Sequence, residues 1–396
     1  MTAKTISISI VMPCLNEAAT IEPCIARAQE ALEILSTRHG LHGEVLVADN
    51  GSTDGSQGMA RSVGARVINV PSKGYGAALS AGFASAQGQY IVMGDSDMSY
   101  DFVESVPMVE ALIGGADICM GSRFLGEIKP GAMPWKNRYI GNPVLSAILR
   151  ILFNTPISDS HCGLRALSRG AIERLNLTSS GMEFASEIVL KAVLLKLKFA
   201  EVPVTLSPDQ RGRPPHLRPW RDGFRHLFYM FMLSPAWLFM IPAILLTIFG
   251  AVVSAILLIS NDVEMVQIGP FAIGDHWSIV ASATFVLGVQ AGIFGLVSLV
   301  YGCREKFRIP TQRLRKFLDI SQLHYWILIG LGVFSGGLVW SMIITAMWIS
   351  SDYGQLNEIR NLSASVTLIV IGGQIFFGGF FMSIVSGNKV NHSLED

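Results

Sequence analysis

The chain has 396 residues, with 30 Lys and Arg against 30 Asp and Glu, so its net charge is zero; 50% of its residues are hydrophobic and 15% charged. An ordinary soluble domain is about 25% charged, so this balance excludes a fully soluble enzyme, a disordered chain and a polybasic nucleic-acid binder. The charge is unevenly placed: residues 1–233 hold 22 basic and 21 acidic side chains, and residues 234–396 hold 8 and 9. The five cysteines are odd in number and show no C-x-x-C spacing, which argues against a zinc site or a disulfide framework and for a reducing compartment.

Ile6–Met12 alternates apolar residues with Ser and reads as a strand, not as a signal peptide. The first domain is therefore expected to stay on the side of the membrane where it is made. Helical and strand-like runs then alternate: helix 18–35, strand 44–49, helix 55–63, strand 66–70, helix 75–86, strand 90–94, helix 102–113 and strand 117–121. Repeated alternation with short connections predicts a mainly parallel sheet with helices on both faces. Ligands of such sheets lie beyond the carboxyl ends of the strands. Polar residues fall at those ends: Asn16 and Glu17; Asp49, Asn50 and Ser52; Asp95, Ser96 and Asp97; Ser122 and Arg123.

Asp95-Ser96-Asp97 follows the apolar strand YIVMG. Two carboxylates one residue apart, where a buried strand surfaces, can hold a hard divalent cation, which in turn holds a diphosphate. The competing reading is an acidic turn, with Ser99 and Asp101 capping the helix from Phe102. Val144–Phe153 (VLSAILRILF) reads as a core helix, with contact to a bilayer as the alternative. The pair His161-Cys162 reads as packing and is assigned no metal. Pro219–Ser234 is basic and aromatic, and suits a helix lying in a membrane interface.

Four uncharged stretches of 23 or 24 residues follow, at 237–259, 278–301, 326–349 and 363–385. About 20 residues suffice to cross a bilayer. Trp237, Tyr301, Trp326 and Trp348 mark interfacial ends. Arginines 211, 213, 218, 221 and 225 precede the first stretch, the next loop has no Lys or Arg, and the loop 302–325 is basic again. That alternation places both termini and the first domain in the cytoplasm, at the inner membrane in a bacterial host. The paired glycines Gly336-Gly337, Gly372-Gly373 and Gly378-Gly379 allow close helix approach. The expected organisation is a cytoplasmic α/β domain over 1–210, a basic aromatic juxtamembrane segment over 211–235 and an all-α four-helix transmembrane domain over 236–396.

VMPCLNEAATI, VADNGSTDGS, SKGYGAALSAG and GDSDMSYD together resemble the family 2 glycosyltransferases of GT-A fold. Within that family the chain is similar to the polyprenyl-phosphate sugar synthases, the dolichyl-phosphate mannose and glucose synthase group. SDSHCGLRAL and RGRPP match that group in position and kind, and the resemblance spans roughly residues 6–235. It implies an inverting, metal-dependent transfer of one hexose from a GDP- or UDP-linked sugar to a polyprenyl phosphate. By the same resemblance, Pro13, Asn16, Glu17, Asp49, Asn50, Ser52, Lys73, Gly74, Asp95, Ser96 and Asp97 form the donor site. Asp95, Asp97 and Ser99 hold Mg2+ or Mn2+, with Ser99 where many members have Gln. Arg123, Arg138, Arg211 and Arg213 face the acceptor phosphate, and Asp97, Arg123, Arg211 and Arg213 are the catalytic set. The expected partners are a nucleotide sugar, a lipid phosphate and the membrane, with no nucleic acid. The rivals are a processive polysaccharide synthase and a non-catalytic membrane adaptor. The first is disfavoured because Gln312-Arg313-Leu314-Arg315 lacks the Trp of Q-x-x-R-W, the second because the acidic pair is intact.

Overall fold

The computed structural model describes residues 6–153, 155, 157–210, 219–260, 263–306, 308–310, 312, 316, 323–354 and 356–387. The chain divides into two compact units, Met1–Leu233 and Ser234–Asp396.

The first unit runs β1 (Ile6–Cys14), α1 (Ile21–His39), β2 (His42–Asp49), α2 (Ser56–Ser62), β3 (Arg66–Asn69), α3 (Tyr75–Ser85), β4 (Tyr90–Met93), α4 (Val106–Ile113), β5 (Ile118–Ile128), α5 (Asn142–Phe153), β6 (Arg165–Ser168), α6 (Arg169–Leu175), α7 (Phe184–Leu194), β7 (Phe199–Leu206) and α8 (Pro219–Met232). The sheet order is β3-β2-β1-β4-β6-β5-β7. β1 pairs in parallel with β2 and β4, and β5 with β7, whereas β6 lies antiparallel between β4 and β5. β1 sits inside the sheet, so Ile8, Ile10, Val11 and Met12 are all fully buried although they point to opposite faces. α1 covers one face with Ile21, Cys24, Ile25, Ala28, Ala31 and Leu35, a helical spacing read directly from the sequence. It ends at Gly40, whose φ of 67° suits the left-handed cap and whose N–H bonds the Ser36 carbonyl.

α5 departs from expectation. Only Ser146 and Leu149 of this helix are buried, while Val144 is 49% and Ile151 64% exposed. Its apolar stripe is real, but apart from Leu149 the rest of it is half-buried or exposed. It is not a core helix.

The second unit holds α9 (Ile241–Ile259), a short hairpin of β8 (Val266–Ile268) and β9 (Phe271–Ile273), α10 (Asp275–Arg304), α11 (Leu323–Ser350) and α12 (Ile359–Ser386). A π-turn over Ala236–Met240 begins the first helix. Among the described residues, four helices are long and apolar enough to cross a membrane. They run past the uncharged stretches because charged residues such as Asp275 and Arg304 continue the helical turns. One glycine of each expected pair makes a tight seam. A Cβ on Gly372 would lie 2.3 Å from the Phe334 nitrogen, one on Gly337 2.7 Å from the Ser365 carbonyl, and one on Gly379 2.3 Å from Trp326 Cβ. Helices at this range gain dispersion contacts that lipid tails do not supply. Arg360, the cation of the loop 350–362, is buried. It donates to Asp275 Oδ1 at 2.7 Å and to the carbonyls of Leu257, Ser260, Val263 and Glu264, tying the C-terminal end of α9 to α12.

Candidate active site

The ends of β1, β2 and β4 meet through a network of side-chain to backbone hydrogen bonds. Ser96 Oγ donates to the Pro13 carbonyl at 2.7 Å, and Thr20 Oγ1 to the Ser96 carbonyl at 2.7 Å. The Asn16 N–H donates to Ser52 Oγ at 2.8 Å, and Asn16 Oδ1 accepts from the Thr53 N–H at 2.8 Å. Asn16 has a φ of 58°, a conformation that asparagine tolerates better than most residues. Glu17 is buried and its backbone N–H donates to Ser56 Oγ at 2.9 Å.

Asp49 is committed to its own loop. Its Oδ2 accepts from the Gly51 and Ser52 N–H groups at 2.9 and 3.0 Å and from Gln57 Nε2 at 2.7 Å. Asn50 ties β2 to the segment after β3. Its Nδ2 donates to the Ser72 carbonyl at 2.6 Å, its Oδ1 accepts from the Gly74 N–H at 2.8 Å, and its carbonyl accepts from Lys73 Nζ at 2.8 Å. Asp49 and Asn50 thus shape the expected donor loop.

Gly74 is a position of this loop that favours glycine. Its φ is 132°, and a Cβ there would stand 2.2 Å from the Ser180 carbonyl oxygen. Residues 179–181 lie against it, and the Ala77 N–H donates to the same Ser180 carbonyl at 3.1 Å. The segment 178–179 is in turn held by Glu187, which accepts from the Thr178 and Ser179 N–H groups and pairs with Lys191 at 2.6 Å. Burial raises the Glu187 pKa, but Lys191 and these donors outweigh it and hold the carboxyl below its usual range. Tyr229 of α8 hydrogen-bonds both Ser179 and Glu187.

At the end of β4, Tyr75 donates its hydroxyl to Asp95 Oδ1 at 3.1 Å. Burial, and then the Asp95 charge, push the phenol pKa well above its usual value, so Tyr75 stays a donor. Asp97 is buried, and its Oδ1 accepts from the Ser99 N–H at 3.0 Å and from the Ser99 hydroxyl at 2.5 Å. Ser99 was expected on a metal, yet its hydroxyl proton points to Asp97 and orients that carboxylate. Asp101 caps the 3-10 turn over Phe102–Ser105, accepting from the Val103 N–H at 3.0 Å, as the capping alternative predicted for that residue.

Arg123 is the expected site residue most fully engaged by protein. It is buried, and its guanidinium grips Asp159 in a fork, Nε to Oδ2 at 2.6 Å and Nη2 to Oδ1 at 2.7 Å. Its own backbone N–H donates to the same carboxylate at 3.1 Å. Burial alone would raise the Asp159 pKa, but the Arg123 hydrogen bonds and charge hold it below the usual range. Nε and Nη2 of Arg123 are thus both engaged by Asp159. Arg138 is half-buried, with Nη1 3.5 Å from the Ile128 carbonyl and its guanidinium over the exposed Tyr139 ring. Arg211 and Arg213 lie outside the described residues, as do the side chains of Arg221 and Arg225 on α8.

Sequence reasoning passed over Asp159, Arg165, Tyr75 and Glu187. Arg165 is fully buried and donates to the carbonyls of Ser160, Cys162 and Ala185, which sets the loop that presents Asp159. The signal was in SDSHCGLR, where an Asp and an Arg six apart bracket the loop. His161 belongs to the same loop. Its Nδ1 meets Ser160 Oγ at 2.9 Å, its Nε2 is buried without a partner, and its ring stands edge-on to His226 of α8 at 5.3 Å. Burial, then His226, push its pKa down to about 3.

Residues 9–175 match the model of glycosyl transferase family 2, and residues 296–386 match that of the glycosyltransferase family 2 C-terminal transmembrane region. The low-salt glycan biosynthesis hexosyltransferase of Haloferax volcanii is 35% identical over 384 residues, covering 95% of this chain and 88% of that protein. The chain belongs to glycosyltransferase family 2. It is an integral membrane glycosyltransferase of that family. The dolichol-phosphate mannosyltransferase of Pyrococcus furiosus is 27% identical over 212 residues, 52% of this chain and 58% of that protein. A crystal structure of glucosyl-3-phosphoglycerate synthase from Mycobacterium tuberculosis with Mn2+, uridine diphosphate and glucosyl-3-phosphoglycerate matches 57% of this chain and 78% of that one, at 24% identity and a TM-score of 0.43.

Proposed function

We propose that this membrane glycosyltransferase moves one hexose from a GDP- or UDP-linked sugar to a polyprenyl or dolichyl phosphate, with inversion and with Mg2+ or Mn2+. The observation that carries this reading is the Asp95/Asp97 pair at the end of β4, beside the loops that close β1 and β2. Relatives named dolichol-phosphate mannosyltransferase and polyprenol monophosphomannose synthase support the lipid phosphate as acceptor.

The donor set fits a hard cation. Among the described residues, no group of three His, Cys, Asp or Glu side chains could hold a metal ion. Two carboxylates therefore need substrate oxygens and waters to complete the shell, which is the habit of magnesium at phosphate sites. When bound, the cation supplies positive charge to the leaving diphosphate. Ser99 fixes the Asp97 carboxylate, and Tyr75 fixes that of Asp95. Asp49, Asn50 and Gly74 shape the backbone cradle for the nucleotide, with Glu17, Lys73, Ser52 and Ser96 lining it.

A phosphate monoester has a second pKa of about 6, so at neutral pH the acceptor is mostly a dianion. Such a nucleophile needs no general base, only positive charge to hold it near the anomeric carbon. We assign that task to Arg211 and Arg213, because a guanidinium can grip a phosphate with two parallel hydrogen bonds. Arg123 acts one step back, holding the loop 158–165 through Asp159. Direct attack inverts the anomeric centre. The catalytic unit and both termini are assigned to the cytoplasm, as the basic loops suggest.

The test supplies purified protein with polyprenyl phosphate, magnesium and a panel of UDP- and GDP-sugars. One donor should label the lipid, EDTA should stop the reaction, and Asp97→Asn should abolish turnover without lowering Tm. Full turnover by Asp97→Asn in EDTA would refute the metal assignment.

A further inference from the structure

The first turn of α3 carries two parts of the proposed donor site. Gly74 stands just before it, and Tyr75 within it donates to Asp95 Oδ1 at 3.1 Å. Residues 179–181 brace this turn. A Cβ on Gly74 would stand 2.2 Å from the Ser180 carbonyl oxygen, and one on Gly76 2.4 Å from that of Ser179. Backbone lies against backbone there, with no side chain between to absorb a shift. The Ala77 N–H is one of the donors that a helix start leaves without an internal partner, and it donates to the Ser180 carbonyl at 3.1 Å. A displacement of residues 179–181 is therefore passed to Gly74, and through Tyr75 to Asp95.

A buried carboxylate holds residues 178 and 179. Glu187 of α7 is fully buried. It accepts from the Thr178 and Ser179 N–H groups at 3.0 and 2.9 Å and from Thr178 Oγ1 at 3.1 Å, and it pairs with Lys191 at 2.6 Å. These partners are its near neighbours in sequence. Tyr229 reaches the same place from α8, and its hydroxyl bonds both Glu187 and Ser179. A phenol has one proton and an ionised carboxylate can only accept, so Tyr229 donates to Glu187 and accepts from the Ser179 hydroxyl. Apolar contacts already seat α8, since Met230 and Leu233 are buried. A polar tie to a buried carboxylate adds direction more than stability. α8 has a second tie to α7, His226 Nδ1 to Ser186 Oγ at 2.7 Å, and Ser186 takes no part in the bonds named above.

We infer that Tyr229 is a positioning residue for the nucleotide donor: from α8 it fixes residues 178–181, which in turn fix the first turn of α3. The inference rests on the donor-site reading above. α8 then serves the donor site as well as leading the chain to the first membrane span.

Tyr229→Phe keeps the ring and removes the hydroxyl. UDP and GDP, each with magnesium, are titrated calorimetrically into the detergent-purified full chain, and the nucleotide that the wild type binds is used for every variant. Tyr229→Phe should raise its Kd roughly five- to tenfold, because a hydrogen bond to a charged group is lost, and should raise KM for the sugar donor by a similar factor. KM for polyprenyl phosphate should not change. Ser186→Ala loosens α8 at its other tie and should leave the nucleotide Kd as it is. Ser179→Ala removes the far end of the Tyr229 link and should weaken nucleotide binding. Joined to Tyr229→Phe, it should weaken binding by less than the product of the two single effects. Wild-type nucleotide affinity in Tyr229→Phe, or a double variant whose effects multiply fully, overturns the inference and leaves the donor site standing. An equal rise in acceptor KM, or an equal loss of nucleotide affinity in Ser186→Ala, means that Tyr229 only seats α8, and overturns it too. A wild-type chain that binds neither nucleotide overturns the donor-site reading, and this inference with it.

Discussion

Replacing Asp159 with Ala should damage the catalytic unit far more than its position in a loop suggests. Asp159 is fully buried, and Arg123 meets it with two side-chain hydrogen bonds and one from its backbone. Removing the carboxylate leaves a buried guanidinium with no counter-charge, and breaking such a pair costs about 3–5 kcal/mol. For a domain of this size each kcal/mol lowers Tm by about 2–4 °C, so the melting point should fall by roughly 6–20 °C. The assay is an intrinsic-fluorescence melt of the detergent-purified full chain. A double variant, Arg123→Met with Asp159→Leu, removes both charges and keeps the volume, and should melt well above Asp159→Ala. Asp159→Asn should resemble Asp159→Ala, since it keeps the shape and loses the charge. A fall below about 2 °C for Asp159→Ala would mean a pair worth under about 1 kcal/mol, as for exposed pairs, and would refute this reasoning.

Three further outcomes are expected. His161, pushed down to about 3 by burial and by His226, stays neutral in the fold while its unfolded counterpart protonates near pH 6.5, so stability should fall as pH drops below that value. His161→Asn should flatten this part of the Tm profile between pH 7.5 and 5, and an unchanged slope would show that another group carries it. Gly74→Ala places a methyl 2.2 Å from the Ser180 carbonyl at a φ of 132°, so it should cost about 1–3 kcal/mol and weaken nucleotide binding in a calorimetric titration; wild-type affinity and Tm would exclude a tight cradle there. Reporters fused after Gly269 and after Lys306 should lie on opposite sides of the membrane, the second in the cytoplasm, and a cytoplasmic signal from both would overturn the assigned orientation.

The strands and helices from β1 to β5 were legible because short apolar runs that end in polar turn residues alternate with longer helical stretches there. β6 was not. Its four residues begin with a buried arginine and sit in a polar motif, so neither composition nor period marks a strand. No local pattern says that it enters the sheet antiparallel between β4 and β5. α5 shows a different limit: its apolar stripe is plain in the sequence, but a stripe does not say which way it faces. In the active site the sequence revealed the acidic pair and the strand ends around it, because they are short polar words after apolar runs. It did not reveal that Arg123 is engaged by Asp159, or that Ser99 serves Asp97. A charge in a sequence names what a side chain can bind, and only packing selects the partner.

The central claim is a single transfer to a lipid phosphate. Mass spectrometry of the lipid recovered from purified enzyme, polyprenyl phosphate and the accepted nucleotide sugar tests it directly. One species, heavier than the acceptor by a single hexose, is the predicted result. A ladder of hexose additions, or an unmodified lipid beside a hydrolysed donor, would contradict it.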